Sequence, residues 1–165
     1  MFNSLISKAL EFKAEDTLII SPKTIITAEW VRLKCQYGCP KYSKCLTCPP
    51  YSPHPEQTKS MLLGYDKALL IHSKECKVIQ NVVRNIEEEA FKAGFYKAFA
   101  MGAGPCELCE ECDVNKPCVH PYLARPSMEA CGIDVYASVR NNGFFIETVS
   151  ENQRKVNYFG LVLIE

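Results

Sequence analysis

The chain has 165 residues, 47% of them hydrophobic, which suffices for one packed core and exceeds what a disordered chain carries. Nineteen Lys and Arg balance nineteen Asp and Glu, so no global field draws it to nucleic acid or to an anionic membrane. Ten cysteines are the outlier, and they cluster at ligand spacings rather than scattering as a disulfide framework would.

Phe2, Leu5, Ile6 and Ala9 recur at helical spacing and predict an amphipathic helix over 2–12. Lys8 and Glu11 interrupt that segment, so it has no signal-peptide apolar core. Residues 17–20 and 24–27 are short β-rich runs with a turn at Ser21-Pro22. Cys35 to Pro55 reads as a loop, and Pro55 suits the first turn of a helix over 55–64. A buried strand follows at 68–71. Ile79, Val82, Val83, Ile86 and Ala90 make one apolar stripe, so 77–93 is a helix stopped by Gly94. Phe95 to Met101 is the next strand, ended by Gly102-Ala103-Gly104-Pro105. Pro126-Ser127 opens a short helix that ends near Gly132, and Asp134 caps another through Asn141. Phe144 to Val149 and Val156 to Ile164 form a hairpin around the polar turn Ser150 to Lys155.

Strand 68–71, helix 77–93 and strand 95–101 predict a β-α-β unit with a parallel crossover. The expected architecture is α/β or α+β, a mixed sheet of about four to six strands with helices packed on it. One metal-binding domain over 1–165 is expected, with cysteine loops at 35–55 and 102–125. No apolar run approaches the roughly 20 residues of a membrane span. The expectation is a cytoplasmic protein whose thiols are kept for metal.

The first cysteine loop holds Cys35, Cys39, Cys45 and Cys48, spaced C-x3-C-x5-C-x2-C. Four thiols within one polar stretch point to metal ligation by iron–sulfur or by zinc, which also uses C-x2-C pairs. Tyr37, Tyr42 and Tyr51 sit beside them and are candidates to shield that metal from water. The second loop holds Cys106, Cys109, Cys112 and Cys118, spaced C-x2-C-x2-C-x5-C. Three cysteines in steps of three resemble the run with which bacterial ferredoxins wrap a [4Fe–4S] cube, although that run ends C-x3-C-P. Gly102 and Gly104, lacking Cβ, would let the backbone approach such a cube.

Two cysteines remain. Cys76 reads as incidental. Cys131 has three competing roles: a ligand replacing Cys118, a redox-active thiol beside a cluster, or a core residue. His120 either ligates or tunes a cluster or stays a surface neighbour of it, and Arg125 either holds an anionic substrate or pairs with Glu129. No Rossmann or P-loop glycine pattern is present, since Gly102-Ala103-Gly104 is too short for one.

The stretch C-E-L-C-E-E-C…K-P-C-V-H-P-Y-L-A-R-P-S-M-E-A-C-G-I-D-V from Cys106, with W-V-R-L-K-C-Q-Y-G-C-P…C-P-P-Y-S-P from Trp30, resembles the prokaryotic predicted metal-binding proteins of domain of unknown function 2284. The resemblance implies metal binding through both quartets and no particular reaction. Three functions stay open: a protein with two [4Fe–4S] clusters passing electrons to a redox partner; a cluster-dependent enzyme with a substrate near Cys131, His120 and Arg125; or a binding module stapled by zinc or clusters.

Overall fold

The computed structural model describes residues 1–148 and 156–165. Among the described residues nine regular elements follow one another: α1 (Phe2–Glu11), β1 (Asp16–Ile20), α2 (Glu29–Gly38), α3 (Pro55–Leu62), β2 (Ala68–Ser73), α4 (Cys76–Lys92), β3 (Phe99–Met101), α5 (Val135–Asn141) and β4 (Tyr158–Leu163). Short 3-10 turns stand at Pro22–Thr24 and Glu129–Cys131. The strands make one sheet in the order β1-β2-β4-β3, and each neighbouring pair is antiparallel.

Alternation along the strands builds two cores. Leu69 and Ile71 of β2, Val162 of β4 and Ala100 of β3 face α1 and α4. Leu70, Leu161, Leu163 and Met101 face the other way, onto Leu62, Met128, Cys131, Ile133 and Val139. Because helices cover both faces, β2 and β4 read as unbroken apolar runs rather than as alternating ones. The expected α/β architecture of helices packed on a sheet is what the chain adopts, with four strands.

The crossover is more particular than expected. β2 and β3 both pair antiparallel with β4, so they run parallel to each other with β4 inserted between them. The unit β2-α4-β3 is thus a split one, and the sheet has no parallel neighbours. That insertion also explains why the C-terminal hairpin fails. Both edges of β4 are taken, so residues 144–148 have no ladder to join and form no strand. Instead the Ile146 carbonyl accepts from Arg140 Nε and Nη2, at 3.2 and 2.8 Å. Val149 and the expected turn Ser150 to Lys155 lie outside the described residues.

Three other expectations need correction. Residues 24–27 are not a strand: Pro22 starts a 3-10 turn, Thr24 Oγ1 donates to the Ser21 carbonyl, and only Thr27 bridges, to Ile133. The strand expected at 95–101 is confined to 99–101, because Phe95 and Ala98 close a turn on each other. Finally, 35–55 is not wholly loop. It begins in α2, whose last turn carries Cys35 and whose C-cap is Cys39.

Candidate metal centre

Helix α2 explains the C-x3-C spacing. Cys35 stands in its last turn and Cys39 caps it, the Cys39 N–H donating to the Cys35 carbonyl at 3.2 Å, and both line one cavity. The chain then turns back on itself. The Cys48 N–H donates to the Cys45 carbonyl at 2.9 Å, and Ser43, at φ +58°, donates its N–H to Pro49 at 2.8 Å. Arg32, one turn before Cys35, clamps the end of this loop by donating Nη2 to the carbonyls of Ser52 and Pro53, at 2.7 and 2.5 Å.

The second loop is pinned at its base. The Gly102 N–H donates to the Pro126 carbonyl and the Met128 N–H to the Gly102 carbonyl, both at 2.9 Å, so 103–125 is one closed excursion. Helix α4 suspends both ends of it. Gln80 Nε2 donates to the Ala103 and Pro105 carbonyls at 3.0 and 2.9 Å. Arg125 grips Glu87 through Nε at 2.7 Å and Nη2 at 2.5 Å, and both side chains are largely buried.

The two loops meet, but not as two separate quartets. Cys106, Cys109, Cys112 and Cys118 line one small cavity of about 20 Å³, and Cys45 from the first loop lines it with them. Cys35, Cys39 and Cys48 line a second cavity of about 150 Å³ together with Tyr42, Gly104 and Glu129. Cys45 is the link: it interacts with Cys48 on one side and with Cys112 on the other. Among the described residues no three Cys, His, Asp or Glu side chains already converge as a preformed ion cage; the thiols line the cavity walls.

Electrostatics separates these thiols. Burial pushes the Cys48 thiol up to about 12, and the neighbouring Cys45 adds to it. Burial also lifts Cys35, reinforced by Cys39 and Glu129 and opposed by Arg32. Cys106 is raised by burial, against a hydrogen bond from Leu108. At Cys112 the Leu46 N–H pulls down, but burial with Cys45 and Cys109 wins and the thiol is raised. Cys45 goes the other way. Burial pushes it up, yet hydrogen bonds from Thr47, the Cys106 backbone and Cys48 outweigh that and lower it. Its Sγ lies 3.3 Å from Thr47 Oγ1. Cys45 is therefore readier than Cys35 or Cys48 to lose its proton, which a metal ligand must do.

His120 lines the five-thiol cavity, and its backbone N–H points at Cys118 Sγ, 3.4 Å away. Cys131 faces the core, fully enclosed, its thiol pushed to about 12 by burial. Arg125 is committed to Glu87. These three candidates thus look in three directions rather than onto one substrate. Cys76 donates to the Ala103 carbonyl at 3.3 Å. Of the tyrosines, Tyr42 lines the three-thiol cavity, whereas Tyr37 and Tyr51 are exposed. Gly104, at φ +70°, lines the three-thiol cavity and not the five-thiol one; a Cβ there would stand 2.9 Å from Cys76 Sγ.

One residue of this region escapes sequence reading. In R-P-S-M-E-A-C, Glu129 looks like an ordinary first-turn acid. In the fold its turn packs against α2, and its Oε2 is sealed from solvent with no hydrogen-bond partner. Arg32 Nε is the other buried polar atom without a partner among the described residues.

The donor set fits a thiophilic metal. Soft thiolates select zinc, copper(I) or iron–sulfur clusters, and besides its five thiols the cavity is lined by only two other side chains with donor atoms, Thr47 and His120. The sequence profile of the family described as "Predicted metal-binding protein (DUF2284)" matches residues 18–164. No curated protein and no solved structure matches the chain. No helix among the described residues is long and apolar enough to cross a membrane.

Proposed function

The chain belongs to the family of predicted metal-binding proteins (DUF2284), and from that premise we propose that it is a cytoplasmic iron–sulfur protein carrying two [4Fe–4S] clusters and passing electrons to a protein partner. One observation supports this reading: Cys45 of the first loop lies among Cys106, Cys109, Cys112 and Cys118 of the second. Two-cluster ferredoxins use the same device, three cysteines at C-x2-C-x2-C and a fourth from a distant run. The two cavities adjoin through Cys45 and Cys48, which suits electron passage from one to the other.

When bound, the clusters supply one-electron chemistry. The protein's part is to hold them, keep water from their sulfurs and present one to a partner. The second loop reaches the surface, with Glu107, Glu110 and Glu111 exposed around its thiols. Such an acidic rim favours a partner with a basic face and an encounter that weakens as salt rises.

The test is metal and sulfide analysis of anaerobically purified protein with Mössbauer and EPR spectroscopy. A brown protein with about eight iron per chain and two interacting clusters is expected. A colourless protein with stoichiometric zinc overturns the proposal.

A further inference from the structure

The three-thiol cavity holds Cys35, Cys39 and Cys48, whereas five thiols line the other, where Cys45 and Cys118 compete for one fourth-ligand position beside Cys106, Cys109 and Cys112. If Cys45 serves the five-thiol site, then Cys35, Cys39 and Cys48 leave a fourth position open, and no further cysteine lines that cavity. Glu129 does line it. Its Oε2 is enclosed and unpartnered. Ser127 and the Glu129 backbone hydrogen-bond to the carboxyl, but Oε2 itself has no partner, and a native fold rarely leaves a buried polar atom so without reason.

The fold also holds Glu129 in place. Thr58 Oγ1 donates to the Cys131 carbonyl at 2.6 Å, Ser52 Oγ donates to the Ala130 carbonyl, and the Ala130 N–H donates to Ser127 Oγ at 3.0 Å. Gly132 closes the turn in the left-handed region at φ +75°, packed so tightly on the Pro55 ring that a Cβ has no room. The first cysteine loop and α3 thus fix a turn whose single acidic side chain lines the same cavity as Cys35, Cys39 and Cys48. Arg32 spends Nη2 on two carbonyls and keeps Nε buried without a partner, and it makes no ion pair with Glu129 among the described residues.

Resting on the metal-binding reading above, we infer that Glu129 is the fourth ligand of the Cys35, Cys39 and Cys48 site, and that Cys45 belongs to the site of Cys106, Cys109 and Cys112. Carboxylate oxygen is an accepted donor beside thiolates. It is harder than thiolate and exchanges more readily, so the metal atom it holds is the one an external small donor reaches.

Mössbauer spectroscopy of the full iron-loaded chain tests this. The wild type is expected to show one iron in about eight with an oxygen-type isomer shift. Glu129→Cys converts that iron to a sulfur-type one at unchanged iron content. Glu129→Gln, with its unfolding midpoint checked, loses iron from one site only. Cys45→Ala keeps the oxygen-type iron and perturbs the other site. An all-sulfur spectrum in the wild type, or a Glu129→Gln spectrum identical to it, overturns the assignment and leaves the iron–sulfur reading standing. If the metal is zinc, absorption at the zinc edge takes over. An oxygen ligand at about 2.0–2.2 Å that disappears in Glu129→Gln then supports Glu129 while overturning the clusters. Loss of the oxygen-type iron in Cys45→Ala overturns the partition.

Discussion

Cys45 and Cys131 are the residues whose surroundings decide most. Cys45 is drawn toward the thiolate form by Thr47 and the Cys106 backbone, while Cys131 is held neutral in the core. Cys131 is therefore expected to resist alkylation in the folded chain and to react only on unfolding, which mass spectrometry of iodoacetamide-treated protein checks. Its thiol is raised from 9.0 to about 12 on folding, so its stabilising effect is full below pH 9.0. Above that, the unfolded chain releases a proton that the folded one keeps, and stability drains as pH climbs toward 12. Cys131→Ala is expected to flatten this slope in urea midpoints measured against pH. For the metal, Cys109→Ala is expected to remove about half of it, since two sites share the load, while Cys76→Ala leaves it intact because that thiol only bonds a carbonyl. Equal loss in both variants would mean that the ligands are wrongly assigned.

At the scale of elements, α4 does two jobs. Its apolar stripe packs on the sheet, and its polar face suspends the second loop through Gln80 and Glu87. Gly160 of β4 is where the packing is tightest: an added Cβ would stand 2.5 Å from Val83 Cγ1 and 3.0 Å from Ile79 Cγ2. Gly160→Ala is expected to cost about 1–3 kcal/mol by overpacking, read from chemical denaturation. Removing Glu87 is worse, because it strands a largely buried Arg125 and also takes the acceptor of the Ala100 N–H, 2.6 Å away. Glu87→Ala is expected to destabilise by about 3 kcal/mol. It should loosen the second loop more than the first, seen as faster metal loss to a chelator from the five-thiol site. The helix α2 was legible in principle: Glu29 in its first turn and Gly38 at its end are ordinary signals. The density of cysteines just beyond it reads as loop and hides them.

The molecule as a whole divides into an apolar core on both faces of the sheet and two cysteine loops outside it. Both faces of the sheet are packed with apolar side chains, whereas 39–52 and 103–125 are held mostly by turns and by hydrogen bonds to neighbours. Metal removal is expected to leave amides of β2, α4 and β4 protected from hydrogen exchange while those loops exchange faster; global loss of protection would show that the metal holds the fold itself. What the sequence by itself determined is what local chemistry dictates: the helices of Phe2 to Glu11 and Cys76 to Lys92, the strand at 68–71, the Asp134 cap, and the donor types of the metal loops. These follow from side-chain period, capping and thiol chemistry, which act within a few residues. Tertiary structure alone decided the rest. That β4 slips between β2 and β3 depends on which edges are free, which no local pattern encodes. That Cys45 lines one cavity with the thiols of the second loop, and that Glu129 lines another with Cys35, Cys39 and Cys48, depend on where two separate excursions of the chain come to rest. Spacing groups ligands by their distance along the chain, and the folded backbone regroups them by distance in space.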